Sequence, residues 1–145
     1  MKFLLFQTSI IQKAGFTLTE ILTVLIISAL IGSIAYPSYL SSIRKARRTD
    51  ALITLAHDQL VLEECFNSNY SYIADCASLP AFPHLSIEQF YSISLLNRDT
   101  KTYTLIATAL ESQSADTQCA SFKITNNGVK TALNSGGNVT NECWG

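Results

Sequence analysis

The stretch GFTLTEILTVLIISALIGSIAY, residues 15–36, decides the fold of this chain. From Phe16 to Leu40 the only acidic or basic side chain is that of Glu20. A helix of about 25 residues, rising about 1.5 Å per residue, is long enough to cross the hydrocarbon core of a bilayer. The stretch therefore predicts a helix that enters a membrane.

Glu20 is the exception within this apolar segment. A charge at the centre of a spanning helix costs roughly 2.5 to 3.5 kcal/mol, and less near the interface, so an isolated glutamate indicates a functional partner. If the chain were cut between Gly15 and Phe16, the new α-amine would lie one helical turn before Glu20, about 6 Å along the axis. That amine could then neutralise the carboxylate, either within one chain or between neighbouring copies.

The residues around this position resemble the processing and assembly signature of type IV pilins. They are Lys13-Ala14-Gly15, then FTLTE at residues 16–20, with Pro37 further along the helix. The resemblance implies that a prepilin peptidase cuts after Gly15 and methylates the new N-terminal Phe16. It also implies that Glu20 pairs with the terminal amine of the adjacent subunit during filament assembly. The leader, residues 1–15, is longer than is usual in the subclass whose mature chain begins with phenylalanine.

Two other interpretations of the apolar segment compete with this one. Ser33-Ile34-Ala35 has the small-x-small pattern of a secretory cleavage site, and an uncut segment could serve as a plain signal anchor. Glu20 inside the apolar region argues against the signal peptide. Neither alternative explains why a glutamate follows a glycine by five residues at the edge of a membrane segment.

The four cysteines all lie beyond the apolar segment, and their even number favours disulfides in an oxidising compartment. They do not form a Cys-x-x-Cys pair or follow a zinc spacing, so no metal site is predicted. The sequence permits three connectivities. We expect Cys65 to pair with Cys76 and Cys119 with Cys143, because each pair closes a local loop.

A basic cluster, Arg44, Lys45, Arg47 and Arg48, follows the apolar segment. Basic residues favour the cytoplasmic side of a membrane, which conflicts with the disulfides. We give the cysteines more weight and expect the domain to lie outside the cytoplasmic membrane, in the periplasm. The cluster is interpreted as a solvated helix face. Contacts with lipid headgroups, acidic neighbouring subunits or DNA are alternatives.

The remaining chain predicts an α+β fold, in which one long helix packs on a four-stranded antiparallel sheet. The expected segments are a leader at 1–15, a membrane or filament-core helix at 16–40 and a globular domain at 41–145. Pro37 should kink the helix without ending it. The helix should continue to about Phe66 with an apolar face. The expected members of that face are Ile43, Leu52, Leu55, Ala56, Leu60, Leu62 and Phe66.

Alternating side chains predict four strands, at residues 90–96, 102–109, 119–125 and 129–133. Asn127-Gly128 predicts a two-residue type I′ turn between the last two strands, with positive φ at both positions. Residues 67–86 are interpreted as a loop, and residues 134–145 as a tail without a strand. Trp144 is expected to pack against the neighbouring disulfide or, alternatively, to contact another subunit.

No catalytic constellation is found, so neither an enzyme activity nor a cofactor is predicted. His57 is interpreted as a surface residue of the helix and His84 as part of the loop. With a formal net charge of −1, the chain has no global field that attracts nucleic acid.

The resemblance therefore implies a structural subunit of a type IV pilus. Within that family, three features look like minor pilins that prime or join the filament in twitching, adhesion or DNA uptake: the strands around 91–93 and 103–105, and the ending 134–144. The expected partners are other pilins, the prepilin peptidase, the inner-membrane assembly machinery and the membrane, with nucleic acid as a further alternative. A single-pass inner-membrane form would precede the extracellular pilus. A major pilin, a pseudopilin of type II secretion and a pilus-borne module that binds DNA or a surface are the other functions left open.

Overall fold

The computed structural model describes residues 15–140 and 142–144. One helix, α1 (Leu18–Asn69), is followed by strands and a short 3-10 helix (Glu111–Ala115). The described residues contain six strands: β1 (His84–Leu85), β2 (Tyr91–Leu96), β3 (Thr104–Ala109), β4 (Ser121–Thr125), β5 (Lys130–Leu133) and β6 (Val139–Thr140). The chain divides into two compact units between Tyr39 and Leu40, which are described separately.

The part of α1 that belongs to the second unit has one buried face. Its buried apolar residues are Ala51, Leu55, Leu62 and Cys65, and the buried acid Asp58 lies on the same face. Intervals of three and four residues place these side chains on one side of a helix. Leu60, which the sequence pattern assigned to this face, is 70 % exposed, and Ala56 is exposed as well. Those two assignments are wrong because both residues fall outside the spacing that begins at Ala51.

The six strands form one antiparallel sheet in sequence order, β1-β2-β3-β4-β5-β6. Side chains of the central strands alternate between a buried face and a more exposed face. Tyr91, Ile93, Leu105 and Phe122 are fully buried and form one core cluster with the apolar face of α1. One long helix with a sheet of this kind is the architecture that the sequence predicts.

The sheet has six strands, so the expectation of four is wrong. The additional strands lie at its two edges, where β1 pairs with β2 and β6 pairs with β5. Each contains only two residues, which is too short to produce an alternating pattern in the sequence. The predicted loop and the predicted C-terminal tail each contribute one of these strands.

The turn between β4 and β5 also differs from the expectation. Gly128 has a φ of +73°, but Asn127 is not among the residues with positive φ, so the turn is not type I′. The amide of Gly128 donates to the carbonyl of Thr125 at 2.9 Å, and the amide of Thr125 donates to the carbonyl of Val129 at 3.1 Å. These bonds enclose a three-residue loop, in which only the last residue needs a left-handed conformation.

The ends of α1 were predicted to within a few residues. The helix extends to Asn69 rather than Phe66, and polar side chains in its last turn bond back to the helix backbone. Ser68 donates to the carbonyl of Glu64 at 3.1 Å, and Asn69 donates to that of Cys65 at 3.1 Å. The amide of Tyr70 donates to the carbonyl of Phe66 at 2.6 Å, so one carbonyl of the last helical turn gains a partner beyond Asn69.

Candidate functional sites

The predicted processing residues lie at the start of α1. Gly15 and Phe16 precede the helix, and both are exposed. The hydroxyl of Thr17 accepts a hydrogen bond from the amide of Glu20 at 3.3 Å, as a helix N-cap does. Thr17 and Glu20 also have the Thr-x-x-Glu spacing of a capping box, a signal that the sequence contains and that was not among the predictions. Among the ion pairs of the described residues, none involves Glu20.

The first part of α1 is apolar on all sides and is not covered by the chain. Every residue from 15 to 39 is exposed, and the mean hydropathy reaches 2.1 over a window in which no residue is buried. Leu18 is 82 % exposed and Ile34 is 78 % exposed. A helix that is hydrophobic all round requires lipid or other apolar helices around it. Pro37 lies within this helix, and the kink that we expect there stays a prediction.

Two disulfides close the loops that the sequence predicts. Cys65 in α1 is bonded to Cys76, and Cys119 is bonded to Cys143. Next to the second bond, Trp144 packs edge-on against Phe122, with 5.6 Å between the ring centroids. Trp144 is therefore partly buried against the core rather than an exposed contact for another subunit.

The two histidines lie on either side of one buried carboxylate. Asp58 is 1 % exposed, its Oδ2 lies 2.9 Å from Nε2 of His84, and its Oδ1 lies 3.5 Å from Nδ1 of His57. His57 is exposed, as expected, whereas His84 belongs to β1 and fastens that edge strand to α1. No group of residues in the described chain could hold a metal ion.

The basic cluster is not the uniformly solvated face that the sequence predicts. Arg48 makes a bidentate ion pair with Asp116, and the two side chains are only 12 % and 5 % exposed. Arg47 lies over the ring of Phe90 at 4.3 Å and donates to Ser112 at 3.1 Å. Arg47 and Arg48 therefore fasten the sheet side of the domain to the helix.

A second cationic surface lies where the C-terminal end of α1, the β2–β3 turn and the β4–β5 turn meet. We call it the turn surface; it consists of Tyr70, Arg98, Lys101, Asn126 and Asn127. The ammonium group of Lys101 donates to the carbonyl of Tyr70 at 3.1 Å, and the amide of Asn126 donates to the carbonyl of Lys101 at 3.2 Å. Arg98 and Lys101 are exposed, and the side chain of Tyr70 is 75 % exposed.

Further contacts hold the turn surface in place. Arg98 donates to the carbonyl of Tyr72 at 2.6 Å, and the Tyr72 amide donates to the carbonyl of Thr100 at 3.1 Å. The one acidic residue within the β2–β3 turn, Asp99, accepts a hydrogen bond from the Thr100 amide at 2.6 Å. Arg98 also donates to the carbonyl of Ala74 at 3.2 Å, and the ammonium group of Lys101 lies 4.8 Å from the centre of the Phe66 ring. The surface therefore combines two cations that are fixed by backbone carbonyls yet exposed with the exposed side chains of Asn127 and Tyr70.

The half-buried carboxylate of Glu63 binds two tyrosines next to this surface. The hydroxyls of Tyr72 and Tyr103 donate to Glu63 at 3.0 and 2.9 Å. Burial and, secondarily, the Glu63 carboxylate raise the pKa of Tyr72 to about 12, and the same causes raise the pKa of Tyr103. Both tyrosines therefore remain neutral donors at neutral pH. Sequence reasoning missed this network because only tertiary packing brings Tyr103, 40 positions further along the chain, to Glu63.

A family model described as type IV minor pilin ComP, DNA uptake sequence receptor, matches residues 37–123 of the chain. The chain belongs to this family of type IV minor pilins.

Among solved structures, a type IV pilin from Shewanella oneidensis resembles this minor pilin with 27 % identity and a TM-score of 0.46. That match covers 60 % of this chain and 89 % of the other. No curated protein sequence matches the chain significantly.

The assignment to the minor pilin family rests on a match that lies mainly in the globular part of the chain. It begins at Pro37 and includes most of the turn surface, but neither the predicted cleavage position nor Glu20. Disulfides and an uncovered apolar helix agree with a pilin. The expectation of a minor pilin, rather than a major pilin or a pseudopilin, agrees with the family that matches.

Proposed function

We propose that this minor pilin joins a type IV pilus after a prepilin peptidase has removed residues 1–15. Before assembly, its apolar helix would hold it in the inner membrane with the globular domain in the periplasm. The observation that carries this proposal is that every residue from 15 to 39 is exposed, since so apolar a surface needs lipid in one state and neighbouring helices in the other.

Glu20 is the residue on which this assembly step depends. Its carboxylate has no cationic partner in the described chain, and a free α-amine on Phe16 would supply one once the leader is removed. The charge would come from the same chain or from the adjacent subunit in the growing filament. Priming the filament and joining it later both fit this chemistry.

Two variants separate the charge of Glu20 from the helix cap that Thr17 provides. Glu20→Gln removes the charge that pairs with the amine, whereas Thr17→Ala removes the capping hydroxyl and keeps the charge. We expect Glu20→Gln to enter the membrane normally yet to be depleted from sheared pili, and Thr17→Ala to be incorporated. Normal incorporation of Glu20→Gln would overturn the assembly role.

A second function, DNA binding by the turn surface, is supported by the family and by the chemistry of that surface. The family is described as a DNA uptake sequence receptor. Arg98 and Lys101 offer cations for phosphates, Asn127 offers an exposed amide, and Tyr70 offers an exposed aromatic ring. Because the net charge of the chain is −1, the attraction must be local.

Fluorescence anisotropy with a labelled DNA duplex and the mature chain in detergent micelles tests this second function. A phosphate contact weakens binding to all sequences alike, and its removal lowers the slope of log affinity against log salt by about one. We expect this change for Lys101→Gln and not for Lys45→Gln, which lies in the basic cluster. Equal losses for the two variants, or a loss only for Lys45→Gln, would contradict the turn surface as the DNA site.

A further inference from the structure

Two of the four cations in the basic cluster have no side-chain partner among the described residues. Arg47 and Arg48 are occupied by Phe90, Ser112 and Asp116, as described above. The side chains of Arg44 and Lys45 form neither an ion pair nor a hydrogen bond with the described residues. In a periplasmic domain these two charges also oppose the usual charge bias of membrane insertion, so they need another explanation.

Arg44 is one of the residues that line a small pocket between α1 and the loop after the 3-10 helix. The pocket has a volume of about 240 Å³, and its lining includes Ser41 and Arg44 from the helix and Thr117 and Gln118 from the loop. Sites for drug-sized ligands usually exceed about 300 Å³. The size therefore fits a small chemical group better than an extended ligand.

The pocket is rich in donors and has one uncompensated positive charge. Arg48 and Asp116 also line it, but each oxygen of Asp116 already accepts a hydrogen bond from Arg48, at 2.7 and 2.9 Å. That pair is neutral as a whole and leaves the guanidinium of Arg44 unmatched. Arginine can bind a phosphate with two parallel hydrogen bonds, and hydroxyl and amide groups can complete such a site.

The pocket is held in place by the fold. Gln113 donates to the backbone carbonyl of Arg44 at 3.1 Å, and the ion pair of Arg48 fastens the same loop one turn further along the helix. The carbonyl of Thr117 accepts a bond from the amide of Ser135 at 2.9 Å. Both walls are therefore fixed before any ligand arrives.

We propose that this pocket binds the phosphate of an anionic phospholipid headgroup while the protein resides in the membrane. Arg44 follows Leu40, the end of the apolar segment, by four residues, or about 6 Å of helix. This position is near the headgroup layer in the membrane state of the proposed function, on which the inference rests. Leaving the membrane for a filament would then require the headgroup to be released.

Native mass spectrometry of the mature chain in a non-ionic detergent tests the proposal. Phosphatidylglycerol and phosphatidylcholine with identical acyl chains serve as probes. The variants are Arg44→Gln and, as a matched control, Lys123→Gln, whose cation lies on the sheet. A basic residue near a membrane surface contributes about a five-fold gain in binding of anionic lipid. We expect Arg44→Gln to lower bound phosphatidylglycerol about five-fold without changing bound phosphatidylcholine, and Lys123→Gln to have no effect.

Three results would overturn the proposal. Equal binding of phosphatidylglycerol by Arg44→Gln and the unmodified chain would show that Arg44 does not form a lipid site. Displacement of the lipid by millimolar inorganic phosphate would show a site for the free anion instead. A larger loss of duplex DNA binding in Arg44→Gln than in Lys101→Gln would assign the pocket to nucleic acid. The mass of the chain in the same spectrum reports removal of the leader, so failed processing is distinguished from failed lipid binding.

Discussion

Replacing Arg48 by methionine should cost the globular domain about 3 kcal/mol of unfolding free energy. Methionine keeps much of the apolar stem but removes both hydrogen bonds to Asp116, whose side chain is 5 % exposed. Among the described residues, the carboxylate would then keep only a long contact of 3.4 Å with Nε2 of Gln113. Breaking a buried ion pair by removing one partner costs about 3 to 5 kcal/mol. The lower value applies because Arg48 is 12 % exposed.

A double-mutant cycle isolates the pair from these side effects. The double variant Arg48→Met/Asp116→Asn no longer leaves a buried charge unpaired, so it should cost less than the sum of the single changes. We expect a coupling energy of about 2 kcal/mol. Solvent-exposed ion pairs give only about 0.2 to 1 kcal/mol in such cycles.

The fluorescence of the single tryptophan can measure the unfolding free energy of each variant in the cycle. Trp144 packs against Phe122 in the core, so its emission follows unfolding of the globular domain in urea. A coupling energy below about 0.5 kcal/mol would refute the reasoning, because the pair would then behave like an exposed ion pair. It would also remove the pair as the anchor of the loop that carries Thr117 and Gln118.

Two further predictions use the same urea assay. Leu62→Ala should lower the unfolding free energy by about 2 to 5 kcal/mol, because Leu62 is fully buried. Leu60→Ala changes a side chain that is 70 % exposed and should lower it by less than about 0.5 kcal/mol. Similar losses for the two variants would contradict the buried face of α1. The pKa of Tyr72 is raised to about 12 by burial and then by Glu63, so its stabilising contribution is complete below pH 10 and is lost as pH rises toward 12. Tyr72→Phe should therefore lose less stability between about pH 9 and 11 than the unmodified chain, and identical declines would count against the raised pKa.

The elements with strong periodicity were predictable from the sequence. The apolar run defines the first half of α1, and strict alternation locates β2, β3, β4 and β5. In these strands the residues expected on one face, such as Tyr91 with Ile93 and Phe122 with Ile124, are buried together. The alternation of side chains could not locate β1 and β6, because two residues are too few to show a pattern. These strands form only by hydrogen bonding to the edge of a longer neighbouring strand.

The polar contacts were not predictable, because their partners are far apart in the sequence. Asp58 and His84 are 26 positions apart, and Arg48 and Asp116 are 68 positions apart. Tertiary packing decides such pairings, and the sequence pattern assigns charged residues to the surface by default. Thr17 and Glu20 are different, since the Thr-x-x-Glu spacing of their capping interaction could have been found in the sequence.

The mature N-terminus of the chain recovered from sheared pili tests the central claim most directly. Tandem mass spectrometry of that fraction should find a first residue of Phe16 with one added methyl group and no peptide from residues 1–15. A chain that still carries Met1 would contradict the account, because the amine that neutralises Glu20 would then be absent from the filament. A chain trimmed after Ala35 would contradict it as well, because that cut removes Glu20 itself.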